Sequence, residues 1–293
     1  MKTRLLYTHV LSPLHAGTGQ GIGVIDLPIA REKATGLPFL PGSSVKGSLR
    51  DLCDDKAMRK KLFGPDKKEG PEEHASSVQF SDQRLLLLPV RSLKGTFAWV
   101  TSPYVLRRFV RDARDANAEA LAKAVPIPLS NETTQECFVI DGNCLEMGGK
   151  VYLEDLDLSV SNDKAQAREW ADVLAAEIFA EDWQALFKER FCIVPDDVLN
   201  FLLETATEIT ARISIEESTK TAAEGQLWYE EALPCETVLF GLLLAVRIGK
   251  VNLDSKDALT EVGKLMSQPI QFGGKATVGR GLCRLRLSQK GDN

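Results

Sequence analysis

The C-terminal segment constrains the fold most. Thr237 to Ile248 is a near-continuous apolar run that reads as a strand, and Asp254 or Ser255 is placed to cap a helix running through Met266. Gly281 to Ser288 then alternates as a final strand. There Cys283, Leu285 and Leu287 face one way while Leu282, Arg284 and Arg286 face the other, which makes one face buried and the other basic. Strand, helix, turn and strand in that order demand a sheet with a helix packed on it.

The N-terminus supplies matching pieces. Lys2 to Leu11 alternates as a strand, and Pro13 ends the ladder. A glycine-rich loop follows, His15-Ala-Gly-Thr-Gly-Gln-Gly-Ile-Gly23, whose backbone can take positive φ and approach a ligand closely. In Pro41-Gly42-Ser43-Ser44 a serine is expected to cap a helix, with Val45, Leu49, Leu52 and Cys53 on its buried face and Lys46 and Arg50 together on another. The two chain ends combine into an α+β arrangement of the ferredoxin-like kind.

Between the ends, Gln79 to Val90 and Phe97 to Thr101 read as strands, and Tyr104 to Ala124 as a helix rich in Arg and Ala. Lys164 to Phe187 reads as one helix with Trp170, Leu174 and Ile178 on a packing stripe. From Glu208 the chain alternates through Ile209, Ala211, Ile213 and Ile215, crosses the polar stretch Glu216 to Gly225, and returns through Leu227 to Glu231. That is a long hairpin whose polar tip cannot bury enough surface to order itself. No fixed-period repeat is present.

Charge is unevenly placed along the 293 residues, whose formal net charge is -5. Residues 1–130 hold 20 basic and 13 acidic side chains, residues 131–263 hold 10 and 27, and residues 264–293 hold 6 and 1. An acidic middle therefore masks two basic ends that together form a surface able to attract phosphate. The six cysteines include no Cys-x-x-Cys pair and none has a nearby His, so reduced thiols in a cytoplasmic protein are expected. No secretory leader or membrane span is read from the sequence.

The familiar nucleotide motifs fail. Ile22 stands where a dinucleotide fingerprint starting at Gly17 needs its third glycine, Asp26 where one starting at Gly21 needs it, and Ser48 where a P-loop at Gly42 needs lysine. What remains is glycine beside basic residues: Lys46 and Arg50, then Gly273-Gly274-Lys275-Ala-Thr-Val-Gly279-Arg280-Gly281. Exposed N–H groups in such loops suit the phosphate oxygens of a nucleic-acid backbone. The catalytic inventory is thin, since the only histidines are His9, His15 and His74. His9 lies inside a strand, whereas His15 is a candidate for phosphate contact or proton transfer. Asp26, after the glycine loop and ahead of Arg31 and Lys33, is either a turn residue or a carboxylate that binds a divalent ion or orients an attacking hydroxyl.

The order of these pieces resembles a known family. His-Ala-Gly-Thr-Gly at 15–19, Gly-Val-Ile-Asp-Leu-Pro-Ile at 23–29, Thr-Gly-Leu-Pro-Phe-Leu-Pro-Gly-Ser-Ser-Val-Lys-Gly-Ser-Leu-Arg at 35–50 and Phe-Gly-Gly-Lys-Ala-Thr-Val-Gly-Arg-Gly at 272–281 are similar to the RAMP superfamily of CRISPR proteins. More narrowly, they resemble the repeated backbone subunit of the type III-B (Cmr) effector complex. Residues 55–200 carry no matching motif.

The resemblance implies a single ferredoxin-like (RRM-like) palm over 1–293, with a mainly helical insertion at 101–200 and a β-hairpin thumb at 205–235. It implies that copies stack in a helical filament along a CRISPR RNA guide, with other subunits of the complex and a complementary target RNA as partners and no membrane. Guide contacts would fall on His15, Ser43, Ser44, Lys46, Arg50, Gly273, Gly274, Lys275 and Arg280. Asp26 matches the family's cleaving acid, which would cut target RNA at regular intervals with a divalent metal ion, magnesium or manganese, and the RNA's own 2′-hydroxyl as nucleophile. The competing expectation is a purely structural RNA-binding subunit, with cleavage supplied by a partner.

Overall fold

The chain is described from a computed structural model covering residues 1–19, 25–65, 75–118, 136–216, 218, 222–249 and 251–288. His74 and the glycines at 21 and 23 lie outside those residues. The first strand, β1 (Lys2–Val10), is flanked by β12 (Val238–Ala245) and β14 (Leu282–Leu287), both antiparallel to it. β12 continues to β4 (Gln83–Arg91) and also pairs with β3 (Val78–Phe80), and β4 pairs with β2 (Phe39–Leu40) and β5 (Phe97–Thr101). β13 (Ile270–Gln271) closes one edge of this sheet, which has 12 strands among the described residues.

Register explains why β1 and β12 are apolar on both sides. Leu6, Thr8 and Val10 lie opposite Leu287, Leu285 and Cys283, and this face meets α7 (Ser255–Leu265), where Gly263 approaches Leu287. Tyr7 lies opposite Phe240 on the other face, under Phe109 of α3 (Pro103–Asp115). With helices on both faces, neither side can tolerate unpaired polar groups. The buried Thr8 hydroxyl accordingly bonds Gln83 (3.3 Å).

α1 (Gly42–Asp51) has no serine cap. Its N-cap is Pro41, and the amide of Gly42 donates to Asp82 Oδ1 (2.8 Å), a residue in the break between β3 and β4. That break divides the single strand expected over Gln79–Val90. Val45, Leu49 and Cys53 are buried as expected, but Leu52 is exposed because the helix has already ended at Asp51. α2 (Lys56–Phe63) follows, capped by Asp55.

The stretch 101–200 contains both helices and strands. α4 (Ala165–Ile178) and α5 (Glu181–Arg190) replace the one helix expected over Lys164–Phe187. Phe179 turns extended (φ -103°, ψ 152°) and stacks on Phe187 (4.7 Å), and Glu181 and Asp182 then favour a new helix start. Arg286, on the basic face of β14, donates to Phe179 O (2.9 Å), so part of that face is spent on this corner. β6 (Glu136–Val139), β7 (Lys150–Leu153), β8 (Leu156–Val160) and β9 (Phe191–Ile193) extend the sheet beyond β5.

α6 (Asp196–Thr205) leads into the hairpin of β10 (Glu208–Ile215) and β11 (Ala222–Ala232), which forms its own two-stranded sheet. The second strand resumes at Ala222, earlier than the Glu216–Gly225 loop expected. All six cysteines are free thiols. Among the described residues, no helix is long and apolar enough to cross a membrane.

Candidate RNA-binding and cleavage site

Three segments meet at the base of the hairpin. The chain after β1, the turn before β14 and the inner end of β11 converge there. His15 is buried, and its Nδ1 lies 2.7 Å from the carbonyl oxygen of Glu231. A carbonyl only accepts, so Nδ1 carries the hydrogen and Nε2 keeps the lone pair in the neutral ring. Glycines make this packing possible. A Cβ at Gly17 would sit 2.5 Å from His15 Nε2, and one at Gly273 would sit 2.3 Å from His15 O, with φ at +70° besides. Gly274 N donates to that same carbonyl (3.1 Å).

Beside this packing lies a charged cluster. Glu230 is 1% exposed, and its Oε1 accepts from Lys275 Nζ (2.8 Å) and Trp228 Nε1 (2.8 Å), while Arg212 Nε stands 3.4 Å from Oε2. Burial alone would push the Glu230 carboxyl up. Lys275, Trp228 and Arg212 outweigh it and hold the group at about 2. Lys275 also lies 6.0 Å from the centre of the Trp228 ring. Arg280 is buried and donates to Thr210 Oγ1 (3.1 Å), while its Nη1 has no hydrogen-bond partner among the described residues. Two cations and an indole N–H thus surround one carboxylate, and the neighbouring Arg280 guanidinium keeps one donor without a partner among the described residues.

Asp26, in the chain after β1, meets the same strand one residue earlier, at Tyr229. Its exposed carboxylate accepts from the backbone N–H of Tyr229 through Oδ2 (2.7 Å), and among the described residues Oδ1 has no partner. The flanking chain is zipped to β11: Leu27 N donates to Tyr229 O (3.1 Å) and Glu231 N to Leu27 O (3.0 Å). Among the described residues, no group of three or more His, Cys, Asp or Glu is gathered as for a metal. One carboxylate with a free oxygen still fits a hard divalent cation that takes its remaining ligands from phosphate and water.

The structure therefore brings together His15, Gly273, Gly274, Lys275 and Arg280, with Asp26 on the neighbouring residue of β11. The α1 residues stand apart. Ser43 is exposed, Ser44 and Lys46 are half-buried, and none of the three makes a side-chain hydrogen bond or ion pair among the described residues. Burial and the nearby Arg50 lower the Lys46 pKa. Arg50 Nη1 donates to Gly64 O (2.7 Å). The helix reaches the cluster through Ser48, whose hydroxyl donates to Gln271 O (3.3 Å).

Sequence reasoning missed Thr210, Arg212, Trp228, Glu230 and Glu231. A signal was present: two consecutive acids inside a strand, directly before the apolar Ala232-Leu233, require buried partners.

The RAMP superfamily profile matches residues 9–284, and the chain belongs to that superfamily. Within it, the chain is similar to the CRISPR system Cmr endoribonuclease Cmr4 of Pyrococcus furiosus, at 35% identity over 298 aligned residues covering 100% of this chain and 98% of the relative. The crystal structure of oligomeric Cmr4 from Pyrococcus furiosus superposes with a TM-score of 0.77 at 30% identity, covering 98% of each chain. A chain in the cryo-EM structure of the type III-B Cmr-beta complex bound to cognate target RNA shares the fold, with a TM-score of 0.75 at 20% identity over 98% of this chain and 97% of that one.

Proposed function

We propose that the protein is a guide-RNA-binding backbone subunit of a type III-B CRISPR effector complex and cleaves complementary target RNA at regular intervals, with Asp26 as the catalytic acid of each copy. The observation that carries this reading is the Asp26 carboxylate. It is exposed, held by one oxygen to the hairpin backbone and open at the other, beside a cluster that holds Lys275, Arg212 and Arg280. The order β14-β1-β12-β4, with α1 after β1 and α7 before β14, reads as the ferredoxin-like palm, and the hairpin as its thumb.

Guide contacts fall on His15, Ser43, Ser44, Lys46, Arg50, Gly273, Gly274, Lys275 and Arg280. The serine, lysine and arginine donors among them read backbone rather than base edges, which leaves the guide's bases free to pair. Partners are the guide, the target RNA, further copies in a helical filament and the other subunits of the complex.

Cleavage needs little from the protein if the RNA supplies its own nucleophile. The 2′-oxygen attacks the adjacent phosphorus, the new P–O bond forms as the bond to the 5′-oxygen breaks, and the products are a 2′,3′-cyclic phosphate and a 5′-hydroxyl. Splaying the nucleotide over the hairpin aligns the attack, and positioning supplies much of the rate. Asp26, through Oδ1, aligns the 2′-hydroxyl, takes its proton or holds a magnesium or manganese ion. When bound, such an ion would neutralise charge developing on the phosphate.

A target with one 2′-deoxynucleotide at a cut position should escape at that phosphate alone, while the other positions are cut. Cutting at the deoxy position would overturn the nucleophile. The second reading is a purely structural RNA-binding subunit with cleavage supplied by a partner. It is favoured by the bond from Tyr229 N to Asp26, which serves equally to anchor a loop.

A further inference from the structure

Glu231 joins the hairpin to the loop that carries Asp26. It is 2% exposed, and all its polar atoms are spent on this joint. Its N–H donates to Leu27 O (3.0 Å) and its carbonyl accepts from His15 Nδ1 (2.7 Å). Its side chain accepts from Ile29 N at Oε2 (3.0 Å) and from Arg31 Nη2 at Oε1 (2.5 Å).

A buried carboxylate is tolerated only when its charge and lone pairs are matched, and Arg31 provides the match. The same guanidinium donates to Leu203 O (3.0 Å) in α6, just ahead of the hairpin, and to Gly36 O (3.1 Å). One residue further on, Glu32 is gripped by Arg108 of α3 (2.6 and 2.8 Å) and by the Thr35 hydroxyl (2.7 Å). The segment from Leu27 to Glu32 is therefore clamped between hairpin and palm, and Asp26 is the residue immediately before the clamp.

We propose that Glu231, through its ion pair with Arg31, is a positioning residue for target cleavage: it fixes Asp26 relative to the hairpin, so that the seating of the hairpin on RNA sets the place of the carboxylate. The proposal rests on the reading of Asp26 above. Glu231 touches no reacting atom in this account. Its effect is one of distance, and misplacing a reacting group by about 1 Å costs on the order of 100-fold in rate.

The test uses the purified complex carrying Glu231→Gln, which keeps an oxygen for Ile29 N but removes the charge facing Arg31. Target affinity, the single-turnover rate at saturating complex and amide exchange at Leu27 and Ile29 are measured together. The expected result is guide content and target Kd within about twofold of wild type, a single-turnover rate lowered about 10- to 100-fold at every cut position, and faster exchange at both amides. Glu231→Asp, which keeps the charge, should recover part of the rate.

Wild-type cutting by Glu231→Gln, or a loss of cutting that only follows lost target binding, overturns the proposal. If Glu231→Gln fails to assemble, Arg31→Lys serves instead, since an ammonium cannot reach Glu231, Leu203 and Gly36 as the fork does. It should lose rate in the same direction, and a wild-type rate there overturns the proposal equally. Amide exchange does not depend on which group cuts. Unchanged exchange in Glu231→Gln refutes the coupling, whereas wild-type cutting by Asp26→Asn refutes the reading beneath it.

Discussion

The hairpin Glu208–Ala232 passes through two environments along one pair of strands. At its base Glu230 and Glu231 are buried, and cations or backbone N–H groups answer both carboxylates. Further out, Ile213, Ile215 and Leu227 are each more than half exposed, with side chains on one face of the ribbon. A two-stranded ribbon is marginal in water by itself. Its base is stable because the interactions that hold it also place Asp26 and His15, and nothing within the described residues of the subunit covers the outer apolar face. The difference shows where rigidity is built in: at the joint with the loop that carries Asp26 rather than along the outer half of the ribbon.

The largest effects should come from breaking the base. Glu230→Ala leaves Lys275 and Arg212 without their shared carboxylate; both cations are about a third exposed, so the loss is that of a charged hydrogen bond, about 1.5–3 kcal/mol. Chemical denaturation of the subunit checks this, and a loss under about 1 kcal/mol would mean that the base is no better held than the outer half. Gly273→Ala should follow, at about 1–3 kcal/mol, because a methyl there meets His15 O in a backbone conformation with φ at +70°.

A pH series sharpens the same point. The Glu230 carboxyl is held at about 2 against an ordinary 4.5, so the unfolded chain binds more protons between those values. Its stabilising contribution is fully present above pH 4.5 and is lost as pH falls toward about 2. Glu230→Gln should flatten the dependence of Tm on pH in that window, and a parallel curve would contradict the assignment. In the outer half, Ile213→Ser should change the stability of the free subunit by only about 0.5 kcal/mol in either direction. For RNA, Lys46→Ala should lower the salt slope of guide binding by about 0.7. Lys275→Ala should lower it less, because Lys275 already spends its charge on Glu230.

Much of this was legible in the sequence where the signal is local. Period-two alternation marked β1, β14 and both strands of the hairpin, and of the two cap candidates for α7, Asp254 and Ser255, it is Asp254 that accepts from Lys256 and Asp257 N–H. The glycines around His15 were legible because close backbone approach has a residue signature. What the sequence hid is tertiary. The acceptor for Gly42 N is Asp82, which no local pattern links to α1, and that one contact both replaces the expected serine cap and divides β3 from β4. The partners of Glu230 and Glu231 likewise come from three separate segments, so the acids were visible in the strand but their purpose was not.

The central claim is most directly tested by single-turnover cleavage of a complementary target by purified complex carrying Asp26→Asn, with target affinity measured on the same preparation. Asparagine keeps an oxygen for Tyr229 N but cannot take a proton or bear charge. The account predicts normal assembly, target Kd within about twofold of wild type and a cleavage rate reduced by at least about 100-fold at every position. Wild-type cutting at the usual spacing by that complex would contradict it.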